Sequence, residues 1–138
     1  MFGKVETVCI RQELPEESVT VYAPEVVRFR LKNGSYGWRM YYAGWGGPPT
    51  RGYILSATSH DGMMWTKDAN PVLQPGGIWD KVKCSEPCVF ALPSGDGGDG
   101  GGGYRLLYEA CDGSAAGETG VWRILGATQR INGAAARL

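Results

Sequence analysis

The chain has 138 residues, with 14 basic and 14 acidic side chains, 22 glycines and 8 prolines. A formal net charge of zero argues against a nucleic-acid binder, which normally has a basic excess, and no apolar run approaches the roughly 20 residues of a bilayer span. Glycine far exceeds its usual share of about 7%, which is costly in helices and natural in turns, so the composition predicts an all-β protein.

The N-terminal segment, residues 1–18, is predicted to be a tail or a partial strand. Residues 1–8 are too polar for the core of a signal peptide, so we expect a cytoplasmic protein. Cys84 and Cys88 are close enough in sequence for a zinc site, but no second close pair completes one and His60 is the single histidine. We therefore expect free, partly buried thiols and no metal.

Within residues 19–78, four antiparallel strands alternate with turn signals. The first strand alternates so that Val27, Phe29 and Leu31 share one face. The second is aromatic or apolar at nearly every position, as in a strand that is covered on both faces. The predicted order is strand 26–31, turn Asn33-Gly34, strand 38–43, loop 44–52, strand 53–58, turn 59–64 and a strand from Trp65.

Residues 79–138 repeat this order of blocks. Because the offset between matching residues grows along the chain, the length differences lie in the loops between strands. Four antiparallel strands in a period near 65 residues are typical of a β-propeller blade. We therefore expect two blades, residues 19–78 (the first repeat) and residues 79–138 (the second repeat), in an incomplete ring. The offset is 63 from Pro24 to Pro87, 66 from Tyr42 to Tyr108 and 70 from Ala57 to Ala127.

The second repeat differs from the first in two places. Seven of the nine residues 95–103 are glycine, which predicts an exposed hairpin tip, since neither a Gly-Lys-Ser/Thr sequence nor a helix follows as in a phosphate loop. After Thr128, the Ser-x-Asp-Gly-x-x-Trp sequence of the first repeat is missing and a run of alanines stands near its place. The fourth strand is therefore incomplete, so either the chain is part of a longer one or it recruits strands from other copies.

Several motifs resemble glycoside hydrolase family 43. Tyr22-Ala23-Pro24-Glu25-Val26 resembles the Trp-Ala-Pro-Asp-Val motif of that family. Ser85-Glu86-Pro87-Cys88 is similar to the acidic residue and proline that open its later blades and those of the invertases and levansucrases. The hairpin at residues 59–65 matches too, and the resemblance spans about residues 19–128. It implies a five-bladed propeller whose inner strands supply carboxylates to a central sugar site.

The resemblance implies that Glu86 and Glu25 are the catalytic carboxylates. Glycoside hydrolysis needs an acid and a base or nucleophile on either side of the scissile bond, about 5 or 6.5 to 9.5 Å apart, and no cofactor. Glu86 precedes its proline as the acid of the motif does, whereas Glu25 is one methylene longer than the aspartate that it replaces. The alternative for each is a solvated carboxylate or an acceptor for backbone N–H groups.

The substrate-binding candidates are Trp45, Arg39, Arg105 and Glu109. Trp45 is predicted to lie in a loop, where it can stack on a sugar ring. The two arginines occupy matching repeat positions, where they bind substrate hydroxyl groups or, as the alternative, form structural ion pairs. Asp112 is a further acidic candidate. We expect the remaining aromatic side chains to pack in the core between blades: Trp38, Tyr41, Tyr42, Trp65, Trp79 and Trp122.

The sequence thus predicts a glycoside hydrolase of the propeller type, or a fragment of one, that acts on oligosaccharides. The alternative is a non-catalytic carbohydrate-binding or structural module that assembles with itself. In both cases we expect carbohydrate as the partner, and neither nucleic acid nor a membrane. Because two blades leave open edges, we also expect either a homo-oligomer or further blades in a longer chain.

Overall fold

The protein is all-β and forms one open, mixed sheet of seven strands. The computed structural model describes residues 8–30, 34–92, 103–114 and 120–130. A short 3-10 helix, Pro15–Glu17, precedes the sheet, and none of the described residues form a helix that is long and apolar enough to cross a membrane. The strands are β1 Thr20–Arg30, β2 Tyr36–Gly46, β3 Arg51–Ser59, β4 Thr66–Lys67, β5 Lys83–Leu92, β6 Gly103–Cys111 and β7 Trp122–Arg130.

The strand order in the sheet is β1-β2-β3-β5-β6-β7, with β4 paired to β3. Within each repeat all pairs are antiparallel, as expected for strands joined by short hairpins. The two repeats meet where Gly52 of β3 and Lys83 of β5 form a single parallel pair. The all-β prediction from composition is therefore confirmed, and the sheet contains two hairpin-linked groups of strands.

The first three predicted strands are present and longer than predicted, and the loop predicted at residues 44–52 is shorter, a turn at residues 47–50. β2 runs on through Gly46, and β3 begins at Arg51. Gly44 serves close packing, since a Cβ there would lie 2.7 Å from the Leu55 side chain and 2.8 Å from the Glu16 carbonyl, whereas Gly47 lies in the turn with a φ of 82°. Glycine content alone does not distinguish these two uses.

The two repeats have the same register, with the offsets read from the sequence. Tyr22 pairs with Ala43 in the first repeat, and Ser85 pairs with Glu109 in the second. In each repeat a β-bulge follows this pair and contains the proline. The residue before each proline has a positive φ, 51° at Ala23 and 49° at Glu86. The repeat is therefore one of backbone conformation as well as of sequence.

Two hydrophobic clusters form the core. The first lies between the repeats, because one face of β2 and β3 packs against one face of β5 and β6. The second covers the opposite face of the first repeat, which we call its outer face, and includes Ile10 and Leu14 from the N-terminal segment and Trp65. The buried members of the first cluster are Tyr41, Ile54, Cys84, Val89, Leu106, Tyr108 and Ala110, and those of the second are Met40, Tyr42, Leu55 and Ala57.

The predicted burial is correct for Tyr41 and Tyr42, which are 2% exposed, but only Tyr41 lies between the repeats, since Tyr42 and Trp65 belong to the second cluster. It is wrong for Trp38, Trp79 and Trp122, which are 39%, 47% and 40% exposed. Two of these rings contact cations instead of the core, Trp79 with the guanidinium of Arg123 at 4.3 Å and Trp122 with the ammonium of Lys83 at 5.0 Å.

The four cysteines are free thiols, as expected. Cys84 and Cys111 are buried, whereas Cys9 and Cys88 are exposed, so the expectation of burial is correct for only two of them. Burial, together with the charge and hydrogen bond of the neighbouring Asp80, raises the pKa of the Cys84 thiol. The glycine-rich hairpin tip at residues 95–102, the turn residue Asn33 and the alanine-rich end lie outside the described residues.

Candidate functional site

Two of the predicted carboxylates meet at the bulge of the second repeat. Glu86 is exposed and lies in the left-handed region immediately before Pro87. The pairing of Ser85 with Glu109 places the half-buried Glu109 on the neighbouring strand beside it. The two carboxyl groups are within hydrogen-bonding reach of each other. An acid of β5 and an acid of β6 therefore form a pair, which we call the carboxyl pair.

The pKa of Glu109 is raised by its surroundings. Burial raises the pKa of Glu109, and so do the charge of Glu86 and the hydrogen bond to it, while the charge of Lys83 acts in the opposite direction. Two carboxylates in contact cannot both ionise easily, since like charges at hydrogen-bonding distance repel strongly. The neighbouring carboxylate of Glu86 therefore favours the protonated form of Glu109.

Aromatic rings surround the cation next to this pair. The ammonium of Lys83 lies 5.4 Å from the ring centroids of both Tyr22 and Trp45 and 5.0 Å from that of Trp122. Lys83 reaches these rings because it pairs with Gly52, whose missing side chain leaves room for the lysine stem. A row of paired residues across the sheet thus brings aromatic side chains of both repeats to one place: Trp45, Gly52, Lys83, Cys111 and Trp122.

Two buried hydroxyl groups near the bulges have no hydrogen-bond partner among the described residues. They are the Oγ of Ser85 and the phenolic oxygen of Tyr22. Tyr22 and Ser85 occupy the same repeat position, two residues before the proline. Buried hydroxyl groups are nearly always hydrogen-bonded, to protein or to water. Each repeat therefore presents a hydroxyl group that is suited to bind water or a polar ligand.

The other predicted catalytic residue, Glu25, lies elsewhere in the repeat. It follows Pro24 and pairs with Tyr41, so its counterpart in the second repeat is Cys88, and the counterpart of Glu86 is Ala23. Glu25 is half-buried. Among the described residues, no hydrogen bond or ion pair joins it to the carboxyl pair. Glu86 thus precedes its proline and Glu25 follows its own, so the two glutamates occupy different positions of the repeat.

The substrate-binding candidates are divided between the site and the framework. Trp45 lies in strand β2, not in a loop as predicted, and its ring contributes to the surroundings of Lys83. Arg39 is 4% exposed and pairs with Asp68 at 2.9 Å, so it joins β2 to the residue after β4. Arg105 is exposed, with one Nη 3.5 Å from the Oγ1 of Thr128. Matching positions thus have different surroundings in the two repeats.

Asp112 supports a hairpin and does not belong to the site. Its carboxylate accepts hydrogen bonds from the backbone N–H groups of Ser114 and Val121, both at 3.0 Å, and pairs with Arg123 at 2.9 Å. The pKa of Asp112 is lowered, first by Arg123 and then by the bonds from Ser114 and Val121. These contacts hold the two ends of the connection between β6 and β7.

A second pair of acids was not recognised from the sequence. The carboxylate of Glu17 accepts a hydrogen bond from the Tyr42 hydroxyl at 2.7 Å, and Asp80 accepts one from Tyr108 at 2.9 Å. Glu17 and Asp80 are also 63 positions apart. Glu17 lies three residues before the start of β1, and Asp80 lies three residues before the start of β5. Each further accepts a backbone N–H from three residues earlier, Leu14 and Gly77. The shared offset was the available signal, but the change from glutamate to aspartate concealed it.

The site is open to solvent. Two surface depressions lie along residues 8–21 and beside residues 63–67, and neither is lined by the carboxyl pair. Among the described residues there is no group of three side chains that could hold a metal ion. No family model, no curated protein and no solved structure matches the chain.

Proposed function

We propose that this chain is a carbohydrate-active module of the propeller-glycosidase type, in which each repeat is a blade. The resemblance of the bulge motifs supports this proposal, and so does the common register of the two repeats. In the proposed arrangement β1 and β5 are the innermost strands of their blades. Their bulges, each with a left-handed residue before proline, then face the funnel where a sugar binds.

The observation that carries the proposal is the carboxyl pair near the half-buried ring of Trp45 and the exposed ring of Trp122. The raised pKa of Glu109 favours its protonated form, which is the form that a general acid requires. Tryptophan rings bind the apolar faces of sugars, and carboxylates accept hydrogen bonds from their hydroxyl groups. Trp45 and Trp122 lie around the same lysine that faces Glu109, so both kinds of contact are available to one ligand.

In the proposed reaction the carboxyl pair acts as one acid. Glu86 and Glu109 are too close to flank a glycosidic bond, since the shortest separation that permits this is about 5 Å. Glu109 gives its proton to the glycosidic oxygen as the bond from that oxygen to the anomeric carbon breaks, and the charge of Lys83 stabilises the carboxylate that remains. Water adds to the anomeric carbon and loses its proton to Glu25.

The second candidate is a carbohydrate-binding module without catalysis. The contact between Glu86 and Glu109 favours it, because a hydrogen-bonded pair is well suited to bind hydroxyl groups and leaves no space for a sugar ring between the two acids. The orphan hydroxyl groups of Tyr22 and Ser85 add two further hydrogen-bonding positions. Both candidates use the same ligand class and differ in whether Glu25 completes the acid–base set.

A panel of aryl glycosides and arabino-, xylo- and fructo-oligosaccharides tests the proposal, with turnover and calorimetric binding measured on each. For the enzyme, Glu109→Gln and Glu86→Gln should lower kcat at least 100-fold while binding of the selected sugar persists. Glu13→Gln, in the N-terminal segment, is the matched control and should leave both unchanged. Binding without turnover in the unaltered chain supports the module instead, and the absence of both turnover and binding across the panel would contradict the whole proposal.

A further inference from the structure

The second repeat has an exposed face that is buried in the first. This open face consists of side chains from all three of its strands. Ile54 of the first repeat is fully buried, whereas its counterpart Ile124 is 66% exposed. Arg39 is 4% exposed, whereas its counterpart Arg105 is exposed. The open face contains Cys88, Phe90, Arg105, Leu107, Glu109 and Ile124.

The difference arises from how the repeats pack. The face of the first repeat with Tyr41 and Ile54 is covered by the second repeat, through Leu106 and Tyr108. Nothing among the described residues covers the equivalent face of the second repeat. Phe90 lies on this face and is 43% exposed, whereas Val89, the residue before it in β5, lies on the opposite face and is buried. An apolar sheet face of this kind is characteristic of an interaction surface.

We propose that the open face binds the open face of a second copy of this chain across a two-fold axis. A second copy cannot offer the outer face of its first repeat, because Ile10, Leu14 and Trp65 already pack against that face. Its own open face is exposed and is therefore the surface that remains. Contact between identical patches produces a closed dimer, the commonest form of homo-oligomer.

The charges on β6 favour this symmetric arrangement. Arg105, Leu107 and Glu109 alternate along one face of the strand, with the apolar residue between the two charges. A two-fold axis at Leu107 that sets the two β6 strands antiparallel places each arginine opposite the glutamate of the other copy. Two ion pairs then flank an apolar centre. The partner's Arg105 then lies against Glu109, so the dimer covers the carboxyl pair, and the single chain is the form in which the pair is free to bind a sugar.

The size of the face indicates a dimer of moderate strength. Three strands about 4.8 Å apart and about nine residues long give a face of roughly 14 by 30 Å. The dimer would bury about 800 Å² in total, below the roughly 1,600 Å² of a standard stable interface. We therefore expect dissociation in the micromolar range, which sedimentation and light scattering between 1 and 300 µM can follow.

A charge exchange between two variants tests the proposal. Arg105→Glu leaves two acids on the face, and Glu109→Arg leaves two bases, so each variant alone should weaken the dimer at least tenfold by like-charge repulsion. An equal mixture restores both ion pairs and should form a heterodimer with an affinity near that of the unaltered chain. Ile124→Asp should abolish the dimer, and Arg28→Glu, an exposed arginine of the first repeat, should leave it intact.

Each outcome is decisive. The proposal is overturned if the unaltered chain stays monomeric at 300 µM. It is also overturned if the mixture of the two charge variants, both folded, fails to associate. Species larger than a dimer would instead indicate head-to-tail packing. In that case Leu14→Asp would dissociate these species, and the charge variants would not. If Ile124→Asp does not fold, as judged by circular dichroism, the charge exchange still gives the answer. The readout is mass, so it is independent of any sugar binding.

Discussion

At the scale of single residues, Glu17 is the most constrained acid of the described chain. It is fully buried, and its carboxylate accepts hydrogen bonds from Tyr42 and from the N–H groups of Glu13 and Leu14. It also pairs with Lys67 at 2.6 Å. Burial opposes its ionisation, but the backbone hydrogen bonds and Lys67 outweigh burial and hold the pKa of Glu17 below its ordinary value. One side chain thus joins the N-terminal segment, β2 and β4.

Replacing Glu17 with glutamine should lower the free energy of unfolding by about 3 kcal/mol at pH 7, because Lys67 then loses the charge of its buried partner. The pKa of Glu17 is lowered in the folded state, so its contribution is present above the unfolded pKa of about 4.3 and is lost as the pH falls through the folded pKa. Urea unfolding between pH 3 and 7 measures this. Glu17→Gln should flatten the acid limb, and Glu16→Gln is the control. Equal stability of the two variants would contradict the prediction.

At the scale of elements, the two bulges hold residues in a costly conformation. Ala23 and Glu86 have φ values of 51° and 49°, a region that disfavours side chains. Proline follows each of them and further restricts the preceding residue. Such strain persists only where the surrounding pairing enforces it, and it is common at functional sites. The strain at Glu86 orients a carboxylate, whereas Ala23 has none to orient.

Glycine relieves this strain at both bulges. Ala23→Gly and Glu86→Gly should each raise the free energy of unfolding by about 1 kcal/mol, because glycine adopts positive φ without steric cost. Val26→Gly, in an extended part of β1, should instead lower it and serves as the control. Thermal and urea unfolding measure the three variants. Under the proposed function, Glu86→Gly loses sugar turnover while it gains stability. If both glycine variants instead lower the free energy of unfolding, the positive φ at Ala23 and Glu86 carries no strain.

The strand pattern was largely predictable because each strand alternates or is wholly apolar, and the repeat offsets of 63, 66 and 70 recur in the pairing registers. The extent of β2 was not, since Gly44 and Gly46 signal turns in sequence and permit close packing in the fold. The contact between the side chains of Glu86 and Glu109 depends on the bulge. The bulge shifts the register of β5 by an amount that the proline alone does not specify. Sequence named both acids without placing them in contact.

At the scale of the whole molecule, the two repeats differ in what covers them. A sequence repeat predicts the same strands in both repeats. It does not indicate which repeat has a face that is covered by another part of the sheet. Trp122 and Ile124 were therefore indistinguishable from core residues, although both lie at an edge of the sheet and are exposed. The proposed dimer removes this asymmetry, because it covers the open face with an equivalent sheet.

The dimer should weaken with salt and with acid. In the single chain, burial and then the charge of Glu86 raise the pKa of Glu109, whereas the charge of Lys83 lowers it. On β7, Glu109 pairs with Ile124, which carries no charge. In the dimer the partner's Arg105 favours the ionised carboxylate, so association releases protons and is lost as the pH falls through the raised pKa of Glu109. As the pH falls through the pKa of Glu109 the dissociation constant should rise about tenfold, and 0.5 M salt at constant pH should raise it as well. Glu109→Gln should remove the pH dependence, and a dimer that tightens on acidification would exclude an ionised Glu109 at the interface.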